Sequence, residues 1–156
     1  MARKNRPRRR RGGLQDLDPY YGCEADAAVG LDPLAVGWLR RGQGFDTGPL
    51  PDEFAEALLA FCFDRHTVCA RPGTVACPLC QERVEPIQRQ EQTAHFGLAE
   101  IRVLGKEEIF AAPTLIYHYV TAHDYRPPDV FVRAVMQGPQ PGSPEHRALV
   151  RTLNRL

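Results

Sequence analysis

Two short motifs, 37 residues apart, constrain this chain more than anything else in it: Cys77-Pro78-Leu79-Cys80 and His118-x4-His123. A two-residue spacer between cysteines lets a tight turn point both sulfurs at one centre. Two histidines near the end of a helix can complete a tetrahedron. Both spacings fall within the range used by structural zinc sites, and the order is right: cysteine turn, hairpin, then a helix bearing both histidines. Cys77, Cys80, His118 and His123 are therefore expected to bind one structural Zn2+ ion. Four protein ligands leave no open position, so such a site holds a fold together and does not activate water.

The 156 residues suit one ordinary domain. Hydrophobic and charged fractions of 43% and 25% are those of a globular protein. No apolar run reaches the length of a membrane span, and no membrane partner is expected. The N-terminus lacks the apolar stretch of a secretory signal, so the cytoplasm is the expected compartment. Thiols stay reduced there, which favours metal over disulfide for paired cysteines. The net charge of +1 hides an asymmetry. Arg3, Lys4, Arg6, Arg8, Arg9, Arg10 and Arg11 crowd residues 1–13, which carry no acid, while the other 143 residues hold 13 basic and 19 acidic groups. The reading is a disordered basic arm (1–13) on a single zinc-stabilised, mildly acidic domain (14–156), with the zinc unit at about 77–135.

Residues 14–31 read as loop, with Tyr20, Tyr21 and Cys23 as anchors. Asp32-Pro33 reads as a helix start, with Leu34, Ala35, Trp38 and Leu39 on one face and Gly42 as the stop. A second helix runs from Pro51-Asp52 to about Arg65, burying Phe54, Leu58, Phe61 and Cys62. Residues 66–76 are a turn-rich link, and 81–94 an exposed polar loop. Residues 98–104 and 108–111 read as a hairpin around Gly105-Lys106. Only a three-residue loop would place Ile101, Val103, Ile109 and Ala111 on one face. Helices follow from Pro113-Thr114 to near His123, through Phe131, Val132 and Val135 to Gly138, and from Ser143-Pro144-Glu145 onward. The fold class expected is α+β: a small, mostly helical domain around a zinc-bound β-hairpin–helix unit.

Among the other thiols and imidazoles, Cys62, His66 and Cys69 form a competing ligand set. Cys62 fits better as a small buried hydrophobe, and Cys69 could replace one histidine. Cys23 reads as packing or a free thiol, and His95 and His146 as surface residues. Trp38, Tyr117 and Tyr119 read as core.

The Cys77–Cys80 and His118–His123 pairs resemble a Cys2His2 zinc finger over residues 77–123. The departure is the 37-residue insert, where a common finger has about a dozen, so the DNA-reading role does not carry over. A broader resemblance covers about residues 34–156. Ile109-Phe110-Ala111-Ala112-Pro113-Thr114-Leu115-Ile116-Tyr117-His118-Tyr119-Val120, then His123-Asp124-Tyr125-Arg126-Pro127-Pro128 and Phe131, are similar to an uncharacterised family of small bacterial proteins. Trp38-Leu39, Gly44-Phe45, Gly48 and Phe54 are similar in placement. That resemblance implies the fold unit and the zinc ligands, and no activity.

Three functions compete. A non-enzymatic binding module would place the arginine arm on nucleic acid, RNA or the ribosome before specific DNA, because guanidinium forks pair with phosphate and a flexible arm follows an irregular backbone. The arm could equally aid solubility, dock on the domain's own acidic body or touch an acidic protein. A protein–protein interaction adaptor would use the faces of residues 30–65. A metal-dependent nuclease is the third. The strand–strand–helix unit resembles HNH-type nucleases, but their Asp-His pair before the hairpin and later Asn-His pattern are missing, and His123-Asp124 stands at the wrong end. No glycine-rich phosphate loop, Gly-x-Ser-x-Gly elbow or βαβ setting for a redox CxxC is visible. The binding module is the favoured reading.

Overall fold

The computed structural model describes residues 13–155, so the expected disorder and contacts of the arm (1–13), Gly13 apart, lie outside the described residues. The chain runs α1 (Glu24–Ala28), β1 (Leu34–Ala35), α2 (Phe54–Cys62), one 3-10 turn (Asp64–His66), β2 (Ile87–Arg89), β3 (Gln92–Ala94), β4 (Glu100–Leu104), β5 (Ile109–Pro113), α3 (Ile116–Ala122), α4 (Asp129–Gln137) and α5 (Pro144–Asn154). Among the described residues the fold is mixed α/β, with five α-helices, a three-stranded sheet of order β1-β5-β4 and a separate β2–β3 hairpin.

The β4–β5 hairpin organises the domain. Its strands are antiparallel, with Leu104 opposite Ile109, Val103 opposite Phe110 and Ile101 opposite Ala112. The connection is therefore the four residues 105–108. Side chains alternate across a strand, so Ile101, Val103, Phe110 and Ala112 share one face, not the set a three-residue loop would give. That face packs on Phe54, Leu58, Phe61, Ile116 and Phe131 in the main core. Burying each of these large side chains is worth about 1.5–3 kcal/mol. The other face carries Glu100, Arg102 and Ala111 and is buried as well, beneath Tyr20, Cys23 and Ala35.

The helices follow local rules. Ser143 caps α5, its hydroxyl accepting the His146 N–H at 3.4 Å, with Pro144 in the first turn. Gly138 ends α4 as expected. The expected helix to Arg65 stops at Cys62, because Phe63 turns to ψ 139° and the 3-10 turn takes over.

Three expectations fail. Asp32-Pro33 opens no helix: Leu34–Ala35 pairs in parallel with β5, Leu34 opposite Phe110 and Ala35 opposite Ala111. Gly37 takes φ +77°, and a Cβ there would lie 2.7 Å from Ile116 Cδ1. The chain turns at this close approach, which only glycine permits without strain. Residues 81–94 are not all loop, since Ile87 pairs with Ala94 and Arg89 with Gln92 around Gln90-Glu91. Residues 14–31 contain α1, though Tyr20 and Cys23 are buried anchors as expected. No helix among the described residues is long and apolar enough to cross a membrane.

Candidate metal centre

Residues 77–82 close on themselves. The Cys77 amide donates to the Glu82 carbonyl at 2.9 Å, and the Gln81 amide to the Cys77 carbonyl at 2.7 Å. Gln81 adopts φ +64°, which lets so short a loop return. The Leu79 amide donates to Cys77 Sγ at 3.3 Å. An N–H aimed at sulfur favours the thiolate that a metal requires. Both sulfurs are thereby held on one side of the loop, facing α3.

The two histidines reach that point by different routes. His118 lies inside α3, and His123 is its C-terminal cap with φ −120°. Five residues are about 1.4 helical turns, so on a continuing helix the two rings would diverge. The helix ends instead: the His123 and Tyr125 amides both donate to the Tyr119 carbonyl at 3.1 Å, and Asp124 takes φ +55°. The rings come to 5.0 Å centroid separation, nearly perpendicular.

All four expected ligands meet. One ligand atom from each of Cys77, Cys80, His118 and His123 lies within 4.8 Å of all the others, so the group could hold a metal ion. Cys77 Sγ is 3.5 Å from His123 Nε2, and Cys80 Sγ is 3.5 Å from His118 Nε2. Tetrahedral zinc with Zn–S of about 2.3 Å and Zn–N of about 2.0–2.1 Å has an S···N edge of about 3.6 Å. The residues present therefore fit such an ion. Cys77 is fully buried and the other three half-buried. Burial raises the Cys77 thiol, and burial together with the His123 charge lowers His118. A dication would reverse the first tendency, drawing off the thiol proton, and reinforce the second, since it binds neutral imidazole.

The remaining candidates fall elsewhere. Cys62 is buried in the core as expected, its thiol toward the Thr114 carbonyl. His95 is exposed and paired with Asp64 at 2.5 Å. Tyr119 is buried and Trp38 and Tyr117 half-buried, Trp38 donating to the Ala111 carbonyl at 2.9 Å and stacking on Tyr20.

Two readings need correction. Cys23, expected as packing or a free thiol, is joined to Cys69 in a disulfide across 46 residues, which also removes Cys69 from the ligand candidates. His146, expected on the surface, is fully buried. Its Nε2 lies 3.2 Å from the Arg102 carbonyl, which can only accept, so the ring proton sits on Nε2. α5 packs that side of its first turn onto β4.

Sequence reasoning also missed the group around the disulfide. Arg102 is completely buried and forks onto Asp26, Nε to Oδ1 at 3.1 Å and Nη2 to Oδ2 at 2.7 Å, with Glu100 Oε1 at 2.9 Å. Burial opposes the guanidinium charge, but the hydrogen bonds and charges of Asp26 and Glu100 outweigh it and hold Arg102 above its ordinary value. Burial raises Glu100 in spite of Arg102. Cys23, Cys69 and Glu100 are close enough to suggest a second metal group. They do not fit one, because the sulfurs are bonded to each other and Arg102 Nη2 already brings positive charge to within 3.7 Å of Cys69 Sγ. The available signal was an arginine and a glutamate alternating with Ile101 and Val103, which reads as a solvated strand face.

A family model described as a domain of unknown function, DUF7919, matches residues 13–136. The match spans most of the chain, including the four-donor group and the buried arginine, and the chain belongs to that family. It begins well before the expected residue 34 and stops short of α5. No curated protein and no solved structure matches the chain.

Proposed function

We propose that this member of the DUF7919 family is a non-enzymatic binding module, stabilised by one structural zinc ion, that contacts RNA through the basic residues 3–11. The observation that carries the metal half is the pair of 3.5 Å S···N separations, which match the edge of a zinc tetrahedron. Two thiolates and two imidazoles in tetrahedral array suit zinc. The ion would tie the 77–82 loop to the end of α3, and with four protein donors it supplies a cross-link, with no position for a reacting water. The RNA half rests on charge: seven basic groups in Arg3–Arg11, with no acid among them, facing a body of net negative charge.

Elemental analysis of purified protein tests the first half. One zinc per chain is expected, and Cys80→Ala should lose it or fail to fold; a folded, zinc-loaded Cys80→Ala protein refutes the assignment. Salt-dependent RNA binding tests the second half, with residues 1–13 present or deleted. Seven phosphate contacts give a log–log salt slope of up to about −5 on a single strand. Full-length protein that binds no RNA at low salt removes the nucleic-acid reading and leaves the adaptor.

A further inference from the structure

A second basic region lies within the described residues, away from the metal centre. The 3-10 turn after α2 and the outer face of α5 enclose a cleft of about 580 Å3. Arg65 and His66 line one wall, Arg147, Arg151 and Arg155 the other, with Gln92 at the edge. Among the described residues, no acidic one lines it. Arg147 and Arg151 on α5 and Arg155 at its C-terminal cap stand four residues apart, and Arg155 keeps helical backbone angles, so they share one face. They are exposed, and among the described residues no carboxylate pairs with them. Arg147 is steadied by the Gly142 carbonyl at 3.0 Å, and Arg65 by Gln92 Oε1 at 3.0 Å. The nearby acid Asp64 is engaged with His95.

Like charges gathered in a concave wall repel one another and focus a positive potential on the space between them. His66 reports that field. Burial, then the charges of His146, Arg65 and Arg147, push it down to about 4. Such a cleft favours an anion. Three guanidinium forks over eight residues of helix span about 12 Å, more than one phosphate can touch, so the complementary ligand carries several phosphates in a row.

We infer that this cleft is a phosphate-binding site for the backbone of a single-stranded polynucleotide, with Arg147, Arg151 and Arg155 pairing to successive phosphates. The ligand class rests on the RNA reading above, whereas the site does not depend on the arm. Arg65 closes the cleft from the opposite wall, and His66 lies close enough to sense an occupant. The family match ends before α5, so Arg147, Arg151 and Arg155 lie outside the shared domain, whereas Arg65, His66 and Gln92 lie within it.

The test uses full-length protein and a defined oligouridylate, reading affinity across salt and the His66 ring signals by NMR. One variant is Arg151→Gln/Arg155→Gln; the other replaces Arg8, Arg9, Arg10 and Arg11 by Gln. RNA should shift the His66 signals in the wild type and in the arm variant but not in the cleft variant. The cleft variant should also lose about 1.4 from the magnitude of the log–log salt slope. If His66 stays silent while the arm variant alone loses binding, the cleft inference falls and the arm reading stands. If the arm variant binds like wild type and the cleft variant does not, the cleft stands and the arm reading falls. A nucleoside triphosphate that shifts His66 as tightly as the oligonucleotide makes the ligand a small polyphosphate and overturns the polynucleotide assignment. Cleft variants that bind RNA with unchanged slope show that the arginines only solvate the helix.

Discussion

The two sides of the β4–β5 hairpin carry opposite kinds of polar cluster. On the side of the main core, Cys77, Cys80, His118 and His123 gather four donors that could hold a cation, with burial disfavouring the charged forms of Cys77 and His118. On the other side the cation is built in: Arg102 lies between Asp26 and Glu100, beside the Cys23–Cys69 disulfide. Under the zinc proposal the first side would take its positive charge from solution, whereas the second carries it in the chain. Stability on the first should therefore depend on metal supply, and on the second on redox state and on keeping every member of a buried charge group.

The sharpest way to break this comparison is to remove metal. Zinc bound to finger-like peptides is worth roughly 10–16 kcal/mol, and whole domains are stable by about 5–15 kcal/mol. A strong chelator at neutral pH should unfold the protein, seen as loss of the near-UV dichroism of Trp38 and the buried tyrosines. A reductant in zinc-saturated buffer should leave it folded. If the chelator changes nothing, the four donors are a packed cluster without a structural ion.

Next in size is Arg102→Met. It leaves Asp26 and Glu100 buried without their counter-charge, a loss of about 3–5 kcal/mol. For a chain of this length that is a fall in Tm of about 10 °C or more. Adding Asp26→Asn and Glu100→Gln should recover part of it, because deleting a whole buried charge group costs less than halving it. No recovery in the triple variant would mean that Arg102 matters by volume, packed over the Tyr20 ring at 5.5 Å, and not by charge.

These two sides were also unequally legible in the sequence. The candidate metal ligands announced themselves because each half is a local pattern, three positions apart in Cys77–Cys80 and five in His118–His123. The arginine group and the disulfide join residues 76 and 46 positions apart, and only the folded chain brings them together. The expected helix over 32–42 failed for the same reason. Leu34, Ala35, Trp38 and Leu39 do have helical spacing, but β5 claims the first two as a parallel partner and Gly37 yields to Ile116. Later helices were readable because their caps are local: Ser143-Pro144 opens one and Gly138 ends another. His146 was misplaced because its spot in a first helical turn said nothing of β4 beneath it.

The disulfide should yield a smaller effect than either the metal or the arginine. Closing a 46-residue loop stabilises a fold by about 2–4 kcal/mol, chiefly through the unfolded chain. Cys23→Ser/Cys69→Ser, kept in zinc, should lower the unfolding free energy extrapolated from urea by that amount without changing the zinc content. A drop in zinc stoichiometry instead would show that the two sides of the hairpin are coupled.

The smallest expected effect contrasts two kinds of histidine. His118 and His123 belong to the candidate metal centre, whereas the His66 and His146 rings meet edge to face at 5.8 Å. Burial lowers His146, although its bond to the Arg102 carbonyl works the other way, and His66 is pushed down to about 4. An imidazole in the unfolded chain titrates near 6.5. Between these values the unfolded chain takes up a proton that folded His66 refuses, so stability is full above about pH 6.5 and falls as pH drops toward 4. The slope from His66 is capped at about 1.4 kcal/mol per pH unit and is reduced by solvent, since the ring is only half-buried. Acid also protonates the metal ligands, so the wild-type curve alone cannot separate the two sources. His66→Gln separates them: its urea midpoint should fall less than that of the wild type between pH 6.5 and 5, while zinc release follows the same curve in both proteins. Identical midpoint curves would mean that His66 is not held neutral by its burial and the neighbouring charges, and that the acid response lies with other groups, His146 and the candidate metal ligands among them.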